Sequence, residues 1–207
     1  TVVQAVTLWD FHVLAALERW QTRNGSHVAL WFAALAEWDA LASIASIAHD
    51  NPGWAFPQFH DADDEAATVV GQELGHPLLP AATRVANDVS LGPPGTFLLV
   101  TGSNMSGKST LLRSIGVNVT LAQAGGPVCA ALLRLPPLRL GASMRVQDSL
   151  EESTSYFMAE LKRLKLIIDA AAAPGAVYLF LLDEILHGTN SRERRLAVQA
   201  VLERLLG

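Results

Sequence analysis

The sequence predicts an α/β fold with a mainly parallel sheet, preceded by a helical segment. Two apolar runs, 96–100 and 177–182, have the length and freedom from charge of buried strands, and the second follows the break "AAAPGA". An amphipathic stretch, 108–124, comes after the first run, so strand, helix and strand succeed one another as in a crossover unit. Half of the 207 residues are hydrophobic and only 17% are charged, enough apolar material for a sizeable core and too little charge for disorder.

The early part reads as helical. Residues 8–20 and 28–48 carry apolar side chains at helical spacing, among them Leu30, Ala33, Ala34, Trp38 and Leu41. "RNGS" at 23–26 is expected to turn the chain between them, giving a helical hairpin, and "DNPGWAFPQF" at 50–59 ends it. All five tryptophans, Trp9, Trp20, Trp31, Trp38 and Trp54, lie in this part, which marks two unlike regions. Residues 1–60 are therefore expected to form a helical region and 61–207 a second domain. Glu37 and Asp39 sit inside the most apolar stretch and argue for a packed helix over a membrane span, so no membrane contact is expected.

The stretch "HDADDEAATVVGQELGHPLLP" is expected to be irregular. Its acids Asp61, Asp63, Asp64 and Glu65 read as solvated loop, because they lack a regular metal-ligand spacing. "LGPPG" at 91–95 is a turn before the first predicted strand. The single cysteine, Cys129, excludes an internal disulfide and a cysteine zinc site and fits a reducing, cytoplasmic setting. A net charge of −5 gives no bulk attraction to DNA or an anionic membrane. The last residues, "RRLAVQAVLERLLG", read as a helix, and the second domain is expected to be C-terminally incomplete.

The chemistry centres on Gly102-Ser103-Asn104-Met105-Ser106-Gly107-Lys108-Ser109, which fits the phosphate-loop pattern G-x-x-x-x-G-K-[ST] between a predicted strand and a predicted helix. Each residue type has a physical reason. Gly102 and Gly107 allow backbone angles and a close approach that a side chain would block. The loop amides and the helix N-terminus then face phosphate oxygens. Lys108 can bridge the β- and γ-phosphates, Ser109 can offer its hydroxyl to Mg²⁺, and Thr110 can contact the α-phosphate region.

"VYLFLLDEILHGTN" puts Asp183 and Glu184 at the end of an uncharged strand. Ligands of parallel sheets sit beyond the carboxyl ends of strands, so Asp183 is placed to hold Mg²⁺ and Glu184 to polarise an attacking water as general base. Consecutive Asp and Glu favour P-loop NTPases of the ABC-ATPase type, in which two domains sandwich ATP. That class needs a serine at a helix N-terminus to reach the partner's γ-phosphate. "DSLEESTSYFMAELKRLKLIID" supplies a candidate: Phe157, Leu161, Leu164 and Ile168 form a stripe, so a helix begins near Ser153, Thr154 and Ser155. The same hydroxyls suit an ordinary N-cap.

These segments together resemble the ATPase module of the MutS family of DNA mismatch repair proteins: "TGSNMSGKST", "LAQAGGPVCA", "STSYFMAE" and "LLDEILHGTN", with "GHPLL" and "ANDVSL" before them. The resemblance implies a homodimer joined head to tail through the ATPase face, ATP and Mg²⁺ at composite sites, and Ser155 acting in trans. It implies DNA contact through parts of the protein outside this chain. It also implies that Gly188, Thr189 and Asn190 lie near the dimer seam. Departures mark a divergent branch. Leu186-His187-Gly188-Thr189-Asn190 stands where Gly-Arg-Gly-Thr-Ser is usual, and Ser153 where a glycine is usual. No aromatic residue for adenine is obvious near Arg84, and no histidine follows Asn190. A second reading stays open, a nucleotide-gated dimerisation module with little turnover that serves assembly. Transporter or chromosome-structure ATPases would need a glycine-rich signature that this sequence lacks.

Overall fold

The computed structural model describes residues 6–60, 68–103, 105–144, 156–173, 175, 177–186 and 190–206. The chain divides into two compact units, the first ending at Ser46 and the second beginning at Ile47.

Helix α1 runs unbroken from Trp9 to Asp50, so the expected hairpin is not formed. The "RNGS" turn signal loses for a local reason. Asn24 satisfies its side chain by donating to the Trp20 carbonyl at 3.0 Å, and Thr22 and Arg19 make the same kind of bond to Glu18 and Ala15. One helical glycine costs only about 1 kcal/mol, which the long flanking helical runs outweigh. No residue of α1 is buried, and by length and composition it could cross a membrane. The helix stops at Asp50, before Pro52 and Gly53, as the sequence predicts.

In the second unit the elements are β1 (Gln58–Phe59), β2 (Val69–Leu74), β3 (Asn87–Leu91), α2 (Lys108–Gln123), β4 (Leu132–Leu135), β5 (Leu138–Ser143), α3 (Tyr156–Ala171), β6 (Val177–Leu182) and α4 (Ser191–Leu206). Here the expected fold class is corrected. A P-loop NTPase of ABC-ATPase type has one mainly parallel sheet. The described strands instead form a mixed four-stranded sheet of order β1-β4-β2-β3 and a separate parallel pair, β5-β6. Only β1-β4 is parallel in the larger sheet; β2 pairs antiparallel with both β3 and β4.

Two features of the chain produce this outcome. Residues 96–100, expected to be a strand, enter no ladder among the described residues, and Phe97, Leu98 and Leu99 are half or more exposed. The segment and β6 instead line an apolar cleft of about 600 Å³. The stretch expected to be irregular contains β2, whose Val69, Gly71 and Leu74 are buried around a bulge. At that bulge Glu73 adopts φ 51°, and its N–H donates to Asp88 Oδ1 at 2.9 Å.

The core forms where α2 lies against the strands: Ile115, Val119 and Ala122 pack with Leu133, Leu135, Leu138 and Leu181. In the β5-β6 pair, parallel over Leu138↔Val177 to Ser143↔Leu182, Gly141 makes room for the Tyr178 ring. A Cβ at Gly141 would collide with the Tyr178 hydroxyl and ring. Tyr178 is only half-buried and can rotate partly away. Gly141→Ala is therefore expected to cost about 1–2 kcal/mol, the lower end of overpacking. A urea titration of the protein checks this, and an unchanged midpoint would refute it.

Candidate nucleotide site

The loop before α2 is shaped by two glycines, each for a different reason. Gly107, the residue before the helix, has φ 88°, a left-handed angle that glycine adopts without penalty. At Gly102 space is limiting: a Cβ would come 2.8 Å from Ser106 Oγ. Between them Met105 takes φ 66° and is fully exposed, at a cost of about 1–3 kcal/mol for a residue with a side chain. Left-handed residues interleaved in a turn make concavities of backbone N–H groups suited to anions. The Ser106 N–H closes the turn on the Ser103 carbonyl at 3.3 Å, and the Leu111 N–H bonds Gly107 at 2.9 Å as the helix begins.

Lys108 folds back over this loop. Its Nζ donates to the carbonyls of Gly102 at 2.9 Å and Ser103 at 2.7 Å. Ser109 is half-buried and Thr110 exposed in the first turn of α2, where helix amides lack intrahelical partners. Asn104 lies outside the described residues. The donor set of this segment is backbone N–H, one ammonium and several hydroxyls, with no carboxylate between residues 101 and 110. That chemistry fits a polyphosphate.

The predicted acids follow β6. The Asp183 N–H donates to the Ser143 carbonyl at 2.9 Å, which extends the β5-β6 pairing by one residue. Asp183 is half-buried and Glu184 exposed. The turn is strained: Glu184 has φ 47° and Leu186 φ 59°, each costing about 1–3 kcal/mol. The loop helix and this strand are in direct contact, since a Cβ on Gly116 of α2 would lie 3.0 Å from Leu181 Cδ1. Among the described residues no three His, Cys, Asp or Glu side chains cluster as a metal cage. Ser109 opens α2 and Asp183 follows β6, and each offers a hard oxygen of the kind Mg²⁺ takes once or twice beside a phosphate.

Helix α3 begins at Tyr156, next to the predicted serine cluster; Ser153, Thr154 and Ser155 themselves lie outside the described residues, as do His187, Gly188 and Thr189. Asn190 caps α4, its Oδ1 accepting the Arg192 N–H at 3.1 Å.

Three structural residues escaped the sequence reading. Asn118 is fully buried and bonds Gly75, Ser114 and Cys129. Glu160, 7% exposed, accepts the Leu186 N–H, and Arg194 Nε donates to the Leu186 carbonyl at 3.0 Å. The legible signal was a polar residue at a core register: Ile115, Asn118, Val119 and Ala122 share one face of α2, and Glu160, Leu164 and Ile167 one face of α3. Near Arg84, where no aromatic was obvious, the structure supplies Trp54, with the guanidinium 5.7 Å from its ring centroid. Gly75 leaves the space that the Arg84 stem occupies. Trp54, Glu73, Arg84 and Cys129 line a cavity of about 240 Å³. Burial pushes the Cys129 thiol up, against the opposing effects of Arg84 and a Gly75 backbone hydrogen bond.

Comparison with known proteins agrees with the motifs. The family model for MutS domain V matches residues 98–207. The chain is 34% identical to the DNA mismatch repair protein MutS of Shouchella clausii over 82% of its own length and 19% of that protein's. It is 34% identical to the MutS of Granulibacter bethesdensis over 93% of the chain and 21% of that protein. It is 39% identical to Endonuclease MutS2 of Thermus thermophilus over 63% of the chain and 17% of that protein. The chain thus spans about a fifth of the length of these relatives. The Granulibacter match takes in most of α1 as well, so the likeness is not confined to the loop and the acids. A loop of phosphate-loop sequence before α2, an acid turn after β6 and a match over more than half its residues give one conclusion: this chain belongs to the MutS family, with domain V at residues 98–207.

Proposed function

We propose that this chain is the ATP-binding and ATP-hydrolysing module of a MutS-type DNA mismatch repair protein working as a head-to-tail homodimer. The observation that supports it most is the pairing of two features on touching elements. A loop of left-handed residues crossed by Lys108 opens α2, and Asp183 and Glu184 follow β6. The amides of Gly102, Ser103, Asn104, Met105, Ser106 and Gly107 hold the β- and γ-phosphates, and Thr110 the α-phosphate. Lys108 exchanges its loop carbonyls for phosphate oxygens and neutralises charge there. Ser109 and Asp183 would hold Mg²⁺, which supplies further charge neutralisation across the phosphates. Glu184, exposed at the turn, takes the proton of the attacking water. Ser155 contributes to the partner's site.

Residues 1–60 serve as the helical connector and 61–207 as the nucleotide module, and the protein is cytoplasmic. The Granulibacter match favours a connector role for α1 over a membrane span, since it runs along a DNA mismatch repair protein. With a net charge of −5, DNA contact belongs to other parts of the protein.

The test is Lys108→Ala in the complete protein. Losing a charged partner of the phosphates should weaken ATP about 100-fold. Titration with a fluorescent ATP analogue in Mg²⁺ buffer measures this. Wild-type affinity and turnover in Lys108→Ala would sink the reading.

A further inference from the structure

The acid turn is held by residues to which the hydrolysis reading gives no part. Leu186 is completely buried, so its peptide N–H and carbonyl cannot turn to water. Each is met by a different helix. Glu160, in the second turn of α3, accepts the N–H; Arg194, in the first turn of α4, donates Nε to the carbonyl at 3.0 Å. The other end of the turn is fixed by the Asp183 N–H on Ser143, itself buried. Glu184 stands between these two anchors, with left-handed angles at Glu184 and Leu186 that an unrestrained chain would abandon.

A second observation sets Glu160 apart from a mere packing residue. Its Oε2 is buried and has no hydrogen-bond partner among the described residues. A carboxylate in that position is costly to desolvate, and an apolar side chain would fill the α3 face beside Leu164 and Ile167 at less expense. What an apolar side chain cannot supply is the acceptor for Leu186.

We propose that Glu160 and Arg194 are positioning residues that clamp the Leu186 peptide from both sides and so aim Glu184 at its water. This rests on the hydrolysis reading above. The two hydrogen bonds of the clamp go to the Leu186 peptide, an element apart from the phosphate loop, so its loss should move turnover and spare binding.

The experiment uses the complete protein and compares Glu160→Ala, Glu160→Gln, Arg194→Ala and the double alanine variant, with Glu184→Gln as control. Glu160→Ala should lower kcat about 30-fold, within the range that an ångström-scale misplacement costs, with KM and analogue affinity within about twofold. Glu160→Gln keeps an oxygen acceptor and should stay within about threefold of wild type. Arg194→Ala should lower kcat about tenfold, and the double variant should lose less than the product of the two, because both act on one peptide. A wild-type kcat in both single alanine variants overturns the inference. So does a loss confined to nucleotide affinity, or a Glu160→Gln loss as deep as the alanine. If Glu160→Ala does not fold, Glu160→Gln and Arg194→Ala decide alone. If Glu184→Gln leaves turnover intact, the hydrolysis reading fails; if it abolishes turnover and the clamp variants do not lower it, only the clamp fails.

Discussion

Glu184→Gln is expected to lower ATP turnover about 1,000-fold while leaving nucleotide affinity within about twofold, the separation that loss of a general base produces. The amide cannot take a proton from water, yet it has nearly the carboxylate's size and can keep the φ of 47° at this position. Binding should survive because the proposed phosphate grip is the loop and Lys108, on a different element. The measurement is steady-state phosphate release beside an equilibrium titration of a fluorescent ATP analogue. Bound ATP should also persist longer, so a dimer that depends on ATP at its seam should accumulate in a sizing experiment. Unchanged phosphate release would remove the chemistry from Glu184. It would favour the alternative of a nucleotide-gated assembly module with little turnover, provided that Lys108→Ala still weakened binding. Equal loss of binding and turnover would instead assign Glu184 to holding the nucleotide.

The helix start after the loop and the strand before the acids were more legible in the sequence than the sheet around them, and the reasons are physical. A phosphate loop is a local device: its glycines, lysine and hydroxyl are consecutive, so their spacing is the geometry, and α2 begins at Lys108 as that spacing requires. The strand carrying the acids, β6, was equally plain, being an uncharged run bounded by Gly175 and Asp183. Sheet order is not local. Nothing in the "FLLV" of residues 97–100 says whether a ladder partner is available, and the segment lines a cleft and pairs with no strand among the described residues. The antiparallel strands β2 and β4 carry only faint alternation, interrupted in β2 by a bulge at Glu73. In α1 the Asn-Gly signal was real, but turn residues are tolerated in a helix when their side chains find backbone acceptors, as Asn24 does at Trp20. The partners of Glu160 and Arg194 were hidden for a related reason. Each serves a backbone group that becomes buried only once two helices close over it.

Asn118→Ala is expected to destabilise the protein by about 3–5 kcal/mol, a large part of the stability of an ordinary domain. The side chain is fully buried in α2 and joins three segments distant in sequence. Its Nδ2 donates to the carbonyls of Gly75 at 2.9 Å and Ser114 at 2.8 Å, and its Oδ1 accepts the Cys129 N–H at 2.7 Å. Gly75 and Cys129 are also tied to one another, the Gly75 N–H donating to the Cys129 carbonyl at 2.8 Å. Alanine would strand the Cys129 N–H and the Gly75 carbonyl in an apolar setting, at about 1–3 kcal/mol for each group, and add a small cavity. Leucine, close in volume, would refill the space but leave the same two groups unpaired, so it should recover little. Aspartate keeps the acceptor for Cys129 but turns a carboxylate oxygen toward two carbonyls, and should be no better than alanine. Urea titrations of the three variants distinguish these outcomes; a midpoint within error of wild type for Asn118→Leu would show that volume, and not the bonds, holds the segments. Because Asn118 stands ten residues along the helix that Lys108 opens, loosening it should also blunt ATP affinity under conditions where the variant is still folded. That effect separates a helix held as one rigid body from a phosphate loop that keeps its shape on its own amides.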